Sequence, residues 1–312
     1  MRIIRGLRNL KHPIRRSVVT IGMFDGVHIG HRKIIDNVVA CAENKKLESV
    51  IVTFDPHPSR VVSPSENVPS LISLEHRLDI FKRLGVDTAV VINFAKPFAR
   101  MSPQNFVKKI LIDRLGARHI YTGENFYFGS SASAGSGDLD RIASPYGAKV
   151  VSVPQAEVSG EAVSSSLIRK YIASGELNKA ERLLGRPVSI LGTVVRGARF
   201  ARVLGYPTAN INPHHEVIPP AGVYAIKVQI GPAMRNGVLN IGKRPTFYAP
   251  RDREPGIEAH IFDFKGRIYG KEIEVYFVRK IRDERRFEDA EALVRQIKRD
   301  IKSAGLSFTS KG

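Results

Sequence analysis

The chain has 312 residues, 43% hydrophobic and 25% charged, enough apolar material for two cored domains and too even a composition for a fibrous or disordered protein. A single cysteine, Cys41, excludes an internal disulfide framework, no apolar run is long enough to span a bilayer, and no apolar core follows the basic N-terminal residues as a signal peptide requires. The formal net charge of +19 favours anionic partners, either nucleotides on a generally basic surface or nucleic acid. No zinc-finger spacing or aromatic RNA-binding signature accompanies that charge, so no specific nucleic-acid partner, no membrane partner and a cytoplasmic location are expected.

Val18–Ile21 is a β-branched run and predicts a strand. Turn residues fill Gly22 to Gly30. From His31 onward Ile34, Ile35, Val38 and Val39 share one helical face. His28 and His31 therefore stand where a strand turns into a helix, whose first N–H groups have no internal partner and suit a phosphate. Gly30 between them allows close backbone approach. The same pair reads also as helix caps, or as half of a metal site with no third ligand close in sequence.

Glu48–Phe54 is a second strand, leading into Thr53-Phe54-Asp55-Pro56-His57-Pro58. The two prolines stiffen a loop just past the strand end, where open parallel sheets bind ligands. His57 is then either a ligand contact or an ordinary polar loop residue. Ser73 caps a helix running to Leu84, and Ala89–Ile92 is strand-like. Ser102-Pro103 starts a helix with Phe106, Val107, Ile110, Leu111 and Leu115 on its apolar face, and Gly116 ends it. Ile120–Thr122 and Val150–Val153 complete an alternation of strands and helices that implies a parallel α/β sheet.

Gly123–Gly129 contains Asn125, Phe126 and Phe128, followed by a Ser/Ala/Gly-rich stretch to Gly137 that lacks the Gly-Lys-Ser/Thr of a P-loop. Alternating aromatics also suit a buried strand. Ser164, Ser165 and Ser166 enter a helix that stops near Gly175, with Arg169 one turn further on; they read as phosphate ligands or as caps with a surface arginine. Glu176–Leu184 is one more short helix. Gly185-Arg186-Pro187 marks a change of pattern and divides the chain into domains 1–185 and 186–312. Beyond it, Ser189–Val195, Val223–Ile230, Gly237–Ile241, Ile257–Phe262 and Ile268–Val278 read as strands of a small antiparallel barrel, closed by a helix over Phe287–Ile301.

These motifs carry a resemblance. His28-Ile29-Gly30-His31 is similar to the His-x-Gly-His signature of the nucleotidyltransferase superfamily. The wider segment from Ile21 to His31, the Thr53–Pro58 hexapeptide, Gly123–Gly129 and Ser164–Arg169 resemble the bacterial bifunctional riboflavin kinase/FAD synthetase family. So do Gly205-Tyr206-Pro207-Thr208-Ala209-Asn210, Pro220–Tyr224, Asn240–Gly242, Pro245–Phe247 and Glu258–His260, in the family's order along both halves. The resemblance implies an N-terminal Rossmann-like nucleotidyltransferase domain, α/β in class, and a C-terminal six-stranded antiparallel β-barrel with a terminal helix. It implies phosphorylation of riboflavin to FMN and adenylylation of FMN to FAD, with ATP as co-substrate and Mg²⁺ as cofactor. The sequence leaves oligomeric state open.

Residue by residue, it implies that His28 and His31 stabilise charge on the α-phosphate. Gly22, Phe24, Asp25, Gly30, Ser164, Ser165, Ser166 and Arg169 would bind ATP, and His57, Asn125, Phe126 and Phe128 the flavin. Thr208 and Asn210 would hold Mg²⁺ and ATP phosphates, with Glu258 as general base or, on the plainer reading, a solvent-facing strand carboxylate. Met23 departs from the family's small or polar residue, and Ala201 in Gly197–Val203 replaces a glycine.

Overall fold

A computed structural model describes residues 1–63, 69–197, 205–214, 216–242 and 256–309. Pro245–Phe247 and all of Gly197–Val203 beyond its first residue lie outside them. Contacts divide the chain into two compact units, one of residues 1–69 with 74–165, the other of 70–73 with 166–312.

In the first unit a short edge strand, β1 (Arg2–Arg5), precedes β2 (Ser17–Ile21). All five β2 residues are buried, as befits a central parallel strand covered on both faces. Then come α1 (Ile29–Lys45), β3 (Glu48–Asp55), α3 (Leu74–Arg83) and β4 (Thr88–Asn93) as predicted, with one unpredicted short helix, α2 (Pro58–Val62), after the His57 loop. Helix α4 opens at Pro103–Asn105, capped by Ser102, and continues as a π-helix over Phe106–Ile112. Then come β5 (Ala117–Gly123), α5 (Ser136–Ala143), β6 (Lys149–Val153) and a hairpin of β7 (Glu157–Val158) and β8 (Glu161–Ala162). The sheet order is β1-β4-β3-β2-β5-β6, and among the described residues its strands pair in parallel throughout. From β2 the chain winds outward through β3 and β4, then returns to the other side of β2 for β5 and β6. The reversal leaves a crevice beyond the carboxyl ends of β2 and β5. Val18, Val38 and Ala42 join α1 to one face; Val19, Ile21, Ile120, Val107 and Leu111 build the larger core on the other.

In the second unit α6 (Ser165–Ser174, its first residue belonging to the first unit) and α7 (Leu177–Leu184) precede a closed antiparallel barrel. The packing division at 165/166 thus differs from the change of sequence pattern at 185/186. The barrel strands are β9 (Ser189–Val195), β10 (Ala209–Asn212), β11 (Gly222–Ile230), β12 (Ala233–Gly242), β13 (Gly256–Ile261) and β14 (Glu272–Arg282), ordered β10-β13-β12-β11-β14-β9. Two sequence expectations shift here. Residues 268–271 precede β14 rather than starting it, and the strand runs on to Arg282. The final helix, α8, is Ala290–Thr309, leaving Phe287 outside it beneath the Arg282 and Arg285 guanidinium groups. Helix α8 packs Ile301, Ala304 and Phe308 on Val223, Ala225 and Val238, and Arg282 grips the buried Asp300 with bonds of 2.8–3.1 Å. The carboxylate of buried Glu216 accepts from the Ser73 amide and hydroxyl at 2.8 and 2.7 Å and from the Leu191 amide at 3.0 Å, holding the 70–73 segment on the barrel.

Tyr224 is fully buried, edge-on to Phe277, and donates to the Pro220 carbonyl at 2.6 Å. Burial, with Asp283 adding, pushes its phenol from 10.0 up to about 12. The folded chain therefore holds this proton after the unfolded chain releases it. Its stability contribution is full below pH 10 and falls as pH rises to about 12. Tyr224→Phe should cost about 1 kcal/mol at pH 8 through the lost hydrogen bond. Denaturant unfolding at pH 8 and pH 11 should show that gap narrowing at the higher pH.

Candidate active site

The crevice beyond β2 begins with a turn that the backbone adopts at a cost. Phe24 and Val27 have φ of 50° and 39°, the left-handed region that disfavours both side chains, Val27 most because of its β-branch. Such residues cost about 1–3 kcal/mol each and persist only when their surroundings over-determine them. Here the Gly22 amide donates to the Val52 carbonyl at 3.1 Å and the Val27 amide to the Phe24 carbonyl at 3.0 Å. The Thr53 hydroxyl donates to the Met23 carbonyl at 3.3 Å, and the Ser165 hydroxyl to the Asp25 carbonyl at 2.8 Å. Asp25 itself is buried.

The turn delivers His28 as the N-cap of α1. Its Nδ1 accepts the His31 amide at 3.3 Å, so a neutral His28 ring carries its proton on Nε2. The His28 and His31 rings stack at 3.6 Å, and Phe24 meets His31 edge-on at 5.3 Å. Around them lies a cavity of about 280 Å³, walled by the carboxyl ends of β2, β5 and β6. It takes in Gly22, Phe24, Gly30, Asn125, Phe126, Ser164 and Ser165 besides the two histidines. The lining stops at Ser165; Ser166 and Arg169 follow on α6, where Arg169 Nη1 donates to the Ser166 hydroxyl at 3.5 Å.

A second cavity, about 870 Å³, opens beyond β2, β3 and β4. Gly22, Asn125 and Phe126 line both cavities, so the two share a wall. The larger one is aromatic, with Phe126 stacked on Phe128 at 5.6 Å and Phe54 edge-on to Phe94 at the same distance. Phe98, Met101 and Met23 add to it. His57 is placed differently from these: its Nδ1 accepts from the Ser59 amide at 3.1 Å and caps α2, while Pro58 and Val62 line the cavity. Phe94, Phe98 and Met101 were not singled out from the sequence, where isolated aromatics between helices read as core.

In the barrel, Gly205–Asn210 leads from a turn into β10, the strand the sequence pattern did not separate from that turn. Asn210 pairs in register with Glu258 of β13. Thr208 donates to the Glu258 carboxylate at 3.3 Å, and His260 Nδ1 lies 2.9 Å from the Pro207 carbonyl, pinning the turn. Thr208 and Asn210 open on a cavity of about 460 Å³ that also takes in Lys265, Arg267 and Tyr269. Gly197 lies so close to the Asn210 amide that no Cβ would fit there. Hydroxyl, amide and phosphate oxygens are hard donors of the kind Mg²⁺ takes, so these residues fit that ion.

Two family patterns match the chain: FAD synthetase over residues 10–167 and riboflavin kinase over 184–308. The bifunctional riboflavin kinase/FMN adenylyltransferase of Bacillus subtilis (strain 168) is 35% identical over 96% of this chain and 95% of its own. The chain belongs to the bifunctional riboflavin kinase/FMN adenylyltransferase family. The protein so named from Haemophilus influenzae is 34% identical over 99% of this chain and all of its own length. The crystal structure of a Streptococcus pneumoniae protein named a macrolide-efflux protein superposes with a TM-score of 0.84 at 30% identity, covering 98% of this chain and 99% of that one. Among the described residues here no helix is long and apolar enough to cross a membrane.

A Cβ on Gly30 would stand 3.3 Å from the His28 ring, which the stack on His31 holds in place. Gly30→Ala in this family member should leave thermal stability unchanged or raised, since alanine is about 1 kcal/mol better in a helix. FAD formation from FMN should nevertheless fall at least fivefold, as measured by chromatography.

Proposed function

We propose that the barrel cavity phosphorylates riboflavin to FMN and that the two joined cavities of the α/β unit adenylylate FMN to FAD. One observation carries the second assignment. A cavity with two histidines at a helix start and two serines in its wall shares a further wall with an aromatic cavity large enough for a flavin. ATP in the first and FMN in the second would bring the flavin phosphate to the α-phosphate at that wall.

FMN's phosphate is largely dianionic near neutral pH, with a second pKa of about 6, and needs no base. Its oxygen bonds to the α-phosphorus of ATP as the bond to the bridging oxygen breaks, and pyrophosphate leaves. The task left to the protein is alignment and charge stabilisation. His28 donates from Nε2 to the α-phosphate, with His31 beside it. Gly22, Phe24 and Asp25 shape the turn against the nucleotide, and Gly30 admits the backbone. Ser164 and Ser165 hold phosphate oxygens. Asn125 contacts the flavin, Phe126 and Phe128 stack on it, and His57 acts through its cap by fixing Pro58 and Val62 in the wall.

In the barrel, Glu258 takes the proton of the riboflavin 5′-hydroxyl as its oxygen bonds to the γ-phosphorus of ATP, the bond to the β,γ-bridging oxygen breaks and ADP leaves. Thr208 and Asn210 would hold Mg²⁺ beside the ATP phosphates. Bound there, the ion neutralises phosphate charge. Before transfer, Thr208, which lines the cavity, donates to the Glu258 carboxylate and holds it beside that lining. The basic surface steers the anionic substrates, and the enzyme works in the cytoplasm.

Incubation with riboflavin, ATP and Mg²⁺, sampled over time, should show FMN first and FAD following. His28→Ala should stop the reaction at FMN with at least a hundredfold loss of FAD. Glu258→Ala should block FMN formation by a similar factor while added FMN is still converted. FAD formation surviving His28→Ala, or riboflavin phosphorylation surviving Glu258→Ala, would overturn the corresponding assignment.

A further inference from the structure

Arg77 takes no part in the chemistry proposed for either site, yet it is a buried charge, 4% exposed, on α3 in the first unit. Its Nη1 donates to the Met23 carbonyl, and its Nη2 to the Phe54 carbonyl at 3.3 Å. Its Nε is buried and makes no hydrogen bond among the described residues. Burial lowers the pKa of the guanidinium from its ordinary value, and Asp25, Asp55 and Glu75 oppose that shift. For stability alone this is a poor choice: an apolar side chain of similar volume would avoid burying a charge and an unsatisfied N–H.

The contacts explain the choice. Met23 belongs to the strained turn that ends in His28, and Phe54 closes β3; both line the aromatic cavity. One turn along α3, on the same face, Phe81 meets Phe24 edge-on at 5.6 Å, and Phe24 in turn meets His31. A single helical face thus supports the turn through its backbone and through its ring. The Met23 carbonyl takes a second bond from Thr53, so three elements converge on one oxygen.

We propose that Arg77 is a positioning residue for adenylyl transfer, locking the β2–α1 turn to the end of β3 so that the flavin wall stays in register with the His28–His31 pair. This rests on the assignment of FMN adenylylation to that site. The planar fork of arginine serves two carbonyls at once, whereas a lysine ammonium is a point charge that serves one well. In-line attack needs the reacting atoms about 3–3.5 Å apart, and an error of about 1 Å in their placement costs roughly a hundredfold in rate.

The test uses the full chain, in which riboflavin phosphorylation serves as an internal control. Arg77→Met should lower kcat for FAD formation from FMN at least tenfold, with KM for ATP within threefold and riboflavin phosphorylation within twofold of the parent. Arg77→Lys should recover at least threefold over the methionine variant. Thr53→Val, a smaller change at the same carbonyl, should lower the same kcat at least threefold and spare phosphorylation. It decides the matter if Arg77→Met does not fold. Unchanged FAD formation, or equal loss of both activities in the folded variants, would overturn the proposal. His28→Ala measured alongside separates the two ideas. If it abolishes FAD formation while Arg77→Met and Thr53→Val do not, the positioning role alone fails. If FAD formation survives His28→Ala, the site assignment falls and this proposal with it.

Discussion

The α/β unit depends on one costly piece of backbone, the turn from β2 to α1. Two non-glycine residues in it occupy the left-handed region, Phe24 and Val27. A turn so unfavourable would relax if it were free. It is held because its carbonyls are taken by groups from distant parts of the chain: Thr53 on β3, Arg77 on α3 and Ser165 at the start of α6. In return the turn places the His28 ring as the cap of α1 and stacks His31 against it. A helix start of the kind that suits a phosphate thereby acquires two oriented imidazoles with little freedom left to lose on binding.

The same turn separates and joins two chemically unlike cavities. Gly22 contributes to both, and Asn125 and Phe126, arriving from β5 across the switch in strand order, complete the shared wall. The histidines and serines line the smaller cavity, and Phe54, Phe94 and Phe98 line the larger one together with Phe126 and Phe128. A doubly wound sheet makes this division natural, because its crevice opens where successive crossovers depart in opposite directions. The barrel reaches an equivalent arrangement by other means. Antiparallel register sets Asn210 directly across from Glu258, so metal-binding and proton-accepting candidates are neighbours by virtue of pairing alone. His260 and Gly197 then fix the turn and leave room for the amide.

Much of this was legible in the chain. The period of the apolar residues and the turn chemistry located most strands and helices, including the Ser102-Pro103 helix start, because those signals are local. The clustering of His28, His31, Ser164 and Ser165 was legible through family motifs. Less was readable where neighbours in space decide the outcome. Residues 209–212 looked like the end of a proline turn and became a barrel strand because β9 and β13 pair with them on both sides. Residues 268–271 looked like strand and were left out of the ladder. Phe287 read as the first apolar residue of the last helix, but its ring is taken by two arginine side chains before the helix begins.

The sequence by itself determined the fold class of each half, most of the strands and helices and the candidate catalytic residue types, since periodicity, capping and short motifs are properties of neighbouring residues. Only the tertiary structure decided which of those residues share a cavity, that His57 caps a helix while its neighbours face the cavity, and that α6 and α7 pack with the barrel. It alone placed Arg77 under the turn. An arginine between Glu75 and Phe81 on a helix reads as a solvated charge; what buries it is the approach of Met23 and Phe54, separated from it by 54 and 23 residues. Contacts at such distances along the chain follow from sheet order, which no local signal encodes.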